Sequence, residues 1–275
     1  MKQADGPAAP PPPPRQALIL RRIAGHLRHQ DWTAVIVEFL VVVLGVFIGL
    51  QATNWNNDLT DRRREAGILR DIVSDLHQDR EELAAGRANA LRRVAAAGHV
   101  LERATGRRLT TLHGPRIDNR NLSLGIGTPV PVTGPPDEAD LLALWPAVVT
   151  GYYPTPSTTA FDALTSAGRL DLIRDAGLVR QLQAYRLVLD GLGATQNNAL
   201  RPQIIGVRQV GETHGLSAFA PVDEDVLIRE VAASPQLRAT LESQLGWAVI
   251  HLAQIDSADR LAVALLARLD RAGFR

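Results

Sequence analysis

The chain has 275 residues, of which 45% are hydrophobic, 21% charged and 4% aromatic, so bulk disorder and collagen-like or disulfide-held frameworks are excluded. Thirty Lys and Arg against 29 Asp and Glu leave a formal charge of +1, too weak a field for general nucleic-acid binding, and no nucleic-acid partner is expected. The absence of cysteine removes thiolate chemistry and Cys-ligated metals and favours neither a reducing nor an oxidising compartment.

Residues 1–14, MKQADGPAAPPPPP, read as an extended, proline-rich tail. Over 15–31, Leu18, Ile19, Ile23 and Leu27 alternate with Arg21, Arg22 and Arg28, which predicts a short basic amphipathic helix lying against a membrane surface. From 33 to 52 run 20 residues with Glu38 as their one ionisable side chain. At about 1.5 Å per residue a helix of that length crosses a hydrocarbon core of about 30 Å. Favourable insertion of its Val, Ile, Leu and Phe residues outweighs the off-centre carboxylate, which costs about 3 kcal/mol at most. A transmembrane helix is therefore predicted over 33–53. The run is longer than a leader's apolar region and LQATNWN holds no A-x-A cleavage site, which favours an uncleaved signal-anchor over a cleaved leader or a buried core helix.

Trp32 and Trp55 bracket the span as interface anchors, where indoles settle at the two headgroup layers. Lys2, Arg15, Arg21, Arg22 and Arg28 outnumber Asp5 and Asp31 before it, a net of +3. The positive-inside rule then places the N-terminus in the cytoplasm and the remainder outside a bacterial inner membrane, although Arg62, Arg63, Arg64 and Arg70 beyond the other end oppose this. Inside the span, Glu38, Gly45, Gly49 and Ala52 follow one another at helical steps and share one face. Gly45 and Gly49 form a G-x-x-x-G, which lets two backbones approach closely in lipid. Three roles for Glu38 stay open: contact with a second copy or a partner, snorkelling to the headgroups, and proton relay.

Leu69, Ile72, Leu76, Leu83, Ala90, Val94 and Leu101 recur at helical intervals, so the membrane helix is expected to continue as one long amphipathic rod. Glycines, prolines and asparagines over 107–136 break all periodicity and predict a long irregular loop. Helical patterns resume over 137–144, over 157–167 with Gly168 as the stop, over 175–191 with Asp175 as cap, and over 222–233. In the third of these, Leu178, Leu182, Tyr185 and Leu189 line one face. Pro235 opens a final helix to about Ala272, its apolar stripe interrupted only by Asp259. Rod and final helix are matched in length and are expected to pack along each other. The fold class is thus all-α: one N-terminal transmembrane helix continuing into an extracytoplasmic helical bundle over 54–275, coiled-coil-like in its long stripes, with one long loop and no run fit for a sheet.

His77 and Glu81, with Asp75 and Asp79, make the most metal-like local cluster, but i,i+4 pairing on a solvated face explains SDLHQDREE equally well. Tyr152 and Tyr153 beside Pro154 and Pro156 read as core or membrane contacts before a binding surface. G-x-S-x-G, P-loop and dinucleotide motifs are missing, so neither enzymatic activity nor a cofactor is expected.

Two stretches, EFLVVVLGVFIGLQATNWN over 38–56 and AFDALTSAGRLDLI over 160–173, resemble a bacterial membrane-anchored family known only as a domain of unknown function. The second maps onto Phe161, Leu164, Ser166, Gly168, Leu170 and Ile173, with Ala167 between the serine and the glycine. The resemblance implies a membrane-anchored helical protein and brings no activity with it. The leading expectation is a single-pass inner-membrane protein whose helical domain oligomerises, senses or docks a membrane-protein partner, with the lipid bilayer as its first partner. The alternatives are an accessory subunit of a proton-driven complex working through Glu38, which here stands where such subunits usually carry aspartate, and a membrane-tethered hydrolase.

Overall fold

The computed structural model describes residues 32–113, 117–118, 123–124, 128–134 and 136–274, so the expected tail over 1–14 and juxtamembrane helix over 15–31 lie outside the described residues. The chain divides into two units, residues 1–61 and 62–275.

In the first unit, helix α1 begins; it spans Trp32–Thr105, 74 residues, and no proline interrupts it. Every residue from 32 to 59 is exposed, the large apolar side chains included. This helix is long and apolar enough to cross a membrane. Thr53 and Thr60 return their hydroxyls to the carbonyls of Gly49 and Asn56, at 3.0 and 2.9 Å, and so satisfy themselves within the helix.

In the second unit, the α1 residues from 62 onward are followed by two antiparallel ladders of two-residue strands. Strand β1 (Thr111–Leu112) pairs with β4 (Thr128–Pro129), and β2 (Ile117–Asp118) pairs with β3 (Ser123–Leu124). The segment expected to be wholly irregular over 107–136 thus carries short strand pairs, too brief to leave an alternating pattern. A 3₁₀ turn, Glu138–Ala143, leads into α2 (Leu144–Val149), so the helix expected over 137–144 begins as 3₁₀ and its α part lies further on. Then come α3 (Thr159–Ser166), α4 (Ala176–Thr195), a π-turn (Gln196–Leu200), α5 (Arg201–Thr213), α6 (Glu224–Ala233) and α7 (Pro235–Arg271).

Local chemistry explains most boundaries. The Asp175 carboxylate accepts from the Gly177 and Leu178 N–H groups at 2.9 and 3.1 Å and caps α4, as its position predicts. Ser234 accepts from Leu237 N–H ahead of Pro235, which needs no donor in a first turn. Gly168 adopts φ +65°, and its N–H and that of Arg169 close on the carbonyls of Thr165 and Leu164, a Schellman stop that a side chain at that φ would strain.

The core falls into two clusters. Leu69, Ile72, Leu76 and Leu83 of α1 pack with Phe161 of α3, Leu178, Leu182 and Leu192 of α4, and Ile255, Leu265 and Leu269 of α7. Val94, Ala97, Val100 and Leu101 of α1 pack with Trp145 of α2, Val207 of α5, Leu227 of α6, and Leu237, Leu241 and Leu245 of α7. The two long helices enter the clusters in opposite order, so they lie antiparallel. Asp259, the interruption in the α7 stripe, accepts from Arg80 Nε at 2.9 Å, and Asp256 accepts from Arg87 Nε at 2.8 Å.

Gly211 of α5 lies against the fully buried Trp145 ring, where a Cβ would overlap the indole, whereas Gly206 of the same helix faces open space. Gly211→Ala is expected to cost about 3 kcal/mol by overpacking, and Gly206→Ala to gain up to about 1 kcal/mol by helix propensity. Chemical unfolding followed by circular dichroism separates the two; equal effects would contradict the packing of α5 on α2.

Candidate functional site

The residues singled out within the span, Glu38, Gly45, Gly49 and Ala52, fall on one face of α1, and all are exposed. A Cβ added at Gly45 or Gly49 would meet no atom within 4 Å, so this face is uncovered among the described residues. Trp32 and Trp55 are 66% and 70% exposed.

The acidic stretch on α1 performs structural work. Asp75 Oδ2 accepts from Ala160 N–H at 2.8 Å and satisfies the first turn of α3. Asp79, 1% exposed, accepts from Ser157 N–H at 2.5 Å and from the Tyr185 hydroxyl at 2.9 Å. Glu82 accepts from the Tyr152 hydroxyl at 2.7 Å, and Asn89 accepts from Tyr152 N–H. These groups fasten residues 152–160 to α1, and among the described residues no three His, Asp or Glu side chains converge as a metal site would require.

A second polar group occupies the interval between the two apolar clusters. On α1 that interval holds Gly86, Ala90 and Arg93; on α7 it holds His251 and Leu252. Arg93 is 1% exposed, and among the described residues its Nε, Nη1 and Nη2 have no hydrogen-bond partner. His251 is fully buried, its ring centroid 5.7 Å from that of Tyr153. The Gln196 amide nitrogen lies 3.3 Å from His251 Nε2; the amide donates, the ring nitrogen accepts, and the ring proton is left on Nδ1, which has no partner. The Tyr153 hydroxyl is buried without a partner as well, and Arg201 Cζ stands 4.6 Å over its ring. Burial, reinforced by the Arg93 charge, pushes His251 down to about 3, so it is neutral at physiological pH. Burial likewise lowers Arg93 and raises Tyr153, the latter opposed by the Arg93, Arg201 and Arg208 guanidinium groups. Within the cluster the Arg93 guanidinium and His251 Nδ1 are donors without an acceptor in hydrogen-bond reach among the described residues; on α7 the buried Gln244 and Gln254 carbonyl oxygens are without a donor as well.

In front of it opens a cleft of about 530 Å³, bounded by residues 154–159 on one side and by α4, the π-turn and the start of α5 on the other. Gln196 and Arg201 line the cleft and are also the residues that touch His251 and Tyr153. Arg186 on the cleft wall is paired with Asp162 and Asp190, whereas Arg201, which lines the same cleft, is in no ion pair among the described residues. Size and composition suit a small polar ligand.

This cluster escaped sequence reading. Arg93 follows Arg92 and reads as part of a solvated face, although it sits three residues after Ala90 and one before Val94 on the apolar stripe; that position was the available signal. Tyr153 is half-buried with its hydroxyl covered and belongs to neither apolar cluster, and Tyr152 is an exposed contact to α1. No protein-family model, curated protein or solved structure matches the chain. The resemblance seen over 38–56 and 160–173 therefore rests on those residues alone.

Burial raises Asp79 from 3.8 to about 6, with Asp75 and Glu82 adding to the rise and the Ser157 and Tyr185 hydrogen bonds opposing it. A raised folded-state value means that the fold favours the proton, so this contribution is complete below about pH 4 and is lost as pH rises toward about 6. His251 acts in the opposite sense, the fold losing stability as pH falls from about 6.5 toward 3. Asp79→Asn removes one of these opposed slopes. Relative to the parent chain it is expected to gain about 3 kcal/mol between about pH 4 and about pH 7, read by urea unfolding at each pH. A difference independent of pH would contradict a proton-holding Asp79.

Proposed function

We propose that this chain is a single-pass membrane protein, anchored through residues 33–53 in a bacterial inner membrane with its N-terminus in the cytoplasm, whose helical bundle outside the membrane senses a small molecule or docks a partner. The observation that carries the reading is the unbroken apolar stretch of α1 whose side chains are all exposed. In water, roughly a dozen uncovered Val, Ile, Leu and Phe side chains, each worth about 1.5–3 kcal/mol on burial, would drive aggregation; in lipid they are the stable arrangement. The uncovered stripe of Glu38, Gly45, Gly49 and Ala52 supports close contact with a second helix, either a second copy or a membrane partner.

The chain expressed in a bacterium is expected to remain with membranes through alkaline carbonate extraction and to leave them only in detergent. Val43→Arg, near the middle of the run, is expected to oppose insertion by about 3 kcal/mol and to release or destabilise a large share of the protein. Recovery of the parent chain in the soluble fraction would overturn the anchor. In mild detergent, Gly45→Ile combined with Gly49→Ile is expected to lower the mass of any complex, because two branched side chains hold the helices apart. A second reading, an accessory role in a proton-driven complex, is favoured by an exposed carboxylate on the same stripe. It requires that Glu38→Gln abolish a phenotype that Glu38→Asp retains.

A further inference from the structure

The pairing of an open cleft with a buried group of donors that lacks an acceptor defines a missing chemical partner. Arg93 carries five N–H donors in a fixed planar fork, and His251 Nδ1 and the Tyr153 hydroxyl add two more buried polar groups without partners. A guanidinium left uncompensated at 1% exposure is among the costliest arrangements in a folded chain, because neither water nor a carboxylate repays its lost hydration. Among the described residues no carboxylate pairs with Arg93, Arg201 or Arg208. Arg208 gives its Nε to the Val149 carbonyl, and Arg201 lies on the Tyr153 ring.

We propose that the cleft between residues 154–159 and the α4–α5 junction binds a small organic molecule bearing an oxyanion, a carboxylate or a phosphate, held by Arg201 at the mouth and by Arg93 behind the cleft floor. Both groups match the bidentate geometry of a guanidinium, and both are acceptor-rich, which is what the buried cluster lacks. Gln196 is the group that separates cleft from cluster. It lines the cleft and hydrogen-bonds to His251, so a ligand that reaches the buried donors does so by displacing the Gln196 amide from His251 Nε2. The cleft, at about 530 Å³, leaves room for an uncharged body beyond the oxyanion. On the opposite wall Thr155 offers a hydroxyl to that body, while Ser157 and Thr159 bond each other and Thr158 donates to Asp162. The charged side chains of the lining balance, Asp162 and Asp190 against Arg186 and Arg201; both carboxylates are paired with Arg186, which leaves Arg201 without an ion-pair partner among the described residues. All of these residues belong to the second unit, so the site stands whether or not the first unit is an anchor.

The test uses the full chain purified in a mild non-ionic detergent, with thermal unfolding followed in sodium phosphate, in sodium succinate and in sodium chloride of matched ionic strength. A saturable rise in Tm with phosphate or succinate over chloride is expected, and whichever of the two acts at lower concentration identifies the oxyanion. Arg201→Gln, at an exposed position, is expected to leave Tm in chloride unchanged and to weaken the apparent affinity by about tenfold, the loss of one charge-assisted contact. Arg93→Met, which replaces the buried charge by a flexible apolar chain, is expected to equal or exceed the parent Tm in chloride and to lose the oxyanion response. Absence of a saturable response to either probe overturns the proposal. So does an equal response in the parent and in Arg201→Gln, a comparison that holds even if Arg93→Met fails to fold.

Discussion

The antiparallel pairing of α1 with α7 is the contact on which the second unit depends. Two ion pairs, Arg80 with Asp259 and Arg87 with Asp256, tie it on the outside, yet their side chains are a third to a half exposed, and pairs of that kind contribute at most about 1 kcal/mol each. Each buried Leu or Ile beneath them contributes about 1.5–3 kcal/mol, so the apolar stripes hold the helices together and the ion pairs select direction and register. The shorter helices then pack against this pair, α3 and α4 at the end where Leu69 meets Leu269, α2, α5 and α6 at the end where Leu101 meets Leu237.

That division leaves a polar interval in the middle of an otherwise apolar contact. A chain selected only for stability would fill it with Leu and Met, since replacing buried charged groups by packed apolar ones of equal volume is commonly neutral or stabilising. Instead Arg93, His251, Gln196 and Tyr153 meet there, next to an open cleft. Asp79 and Tyr185 differ in kind: their hydrogen bonds are complete and hold Ser157 in place, as Asp75 holds Ala160, which sets one wall of that cleft. One polar group builds the wall and the other is buried behind Gln196.

Features determined within a few residues were legible in the sequence. Asp175, Gly168 and Pro235 mark helix ends because capping and backbone freedom act locally, and the stripes of α1 and α7 are long enough to dominate any other pattern. Asp259 was legible only as an anomaly, because its partner Arg80 lies 179 positions away. The strand pairs between 111 and 129 are two residues long and leave no periodicity. The donor cluster depends on four segments: Arg93 comes from α1, Tyr153 from the loop before α3, Gln196 from the π-turn and His251 from α7. The place of Arg93 beside Val94 on the apolar stripe is the local sign of its burial; nothing next to His251 or Gln196 in the sequence shows that the two meet.

The segment after 191 was illegible for a physical reason. Across it, from Val188 at the end of the α4 stripe, burial passes to Leu192, Gln196, Leu200 and Ile204 in a run of steps of four before Val207 and Gly211. In a regular α-helix four such steps drift by about 160° from the starting face, so the pattern does not read as one amphipathic helix. The π-turn winds that drift back: Arg201 N–H closes on the Gln196 carbonyl, five residues earlier, and the wider turn returns Leu200 and Ile204 to the core. Pro202 accounts for its position, since it has no N–H to give to the preceding turn and already breaks the regular ladder there. The same turn carries Gln196 onto the buried side against His251 and places Arg201 at the mouth of the cleft. An α-helix without the extra residue would rotate one away as it brought in the other, so the irregularity that hid this helix from its sequence is what assembles the site.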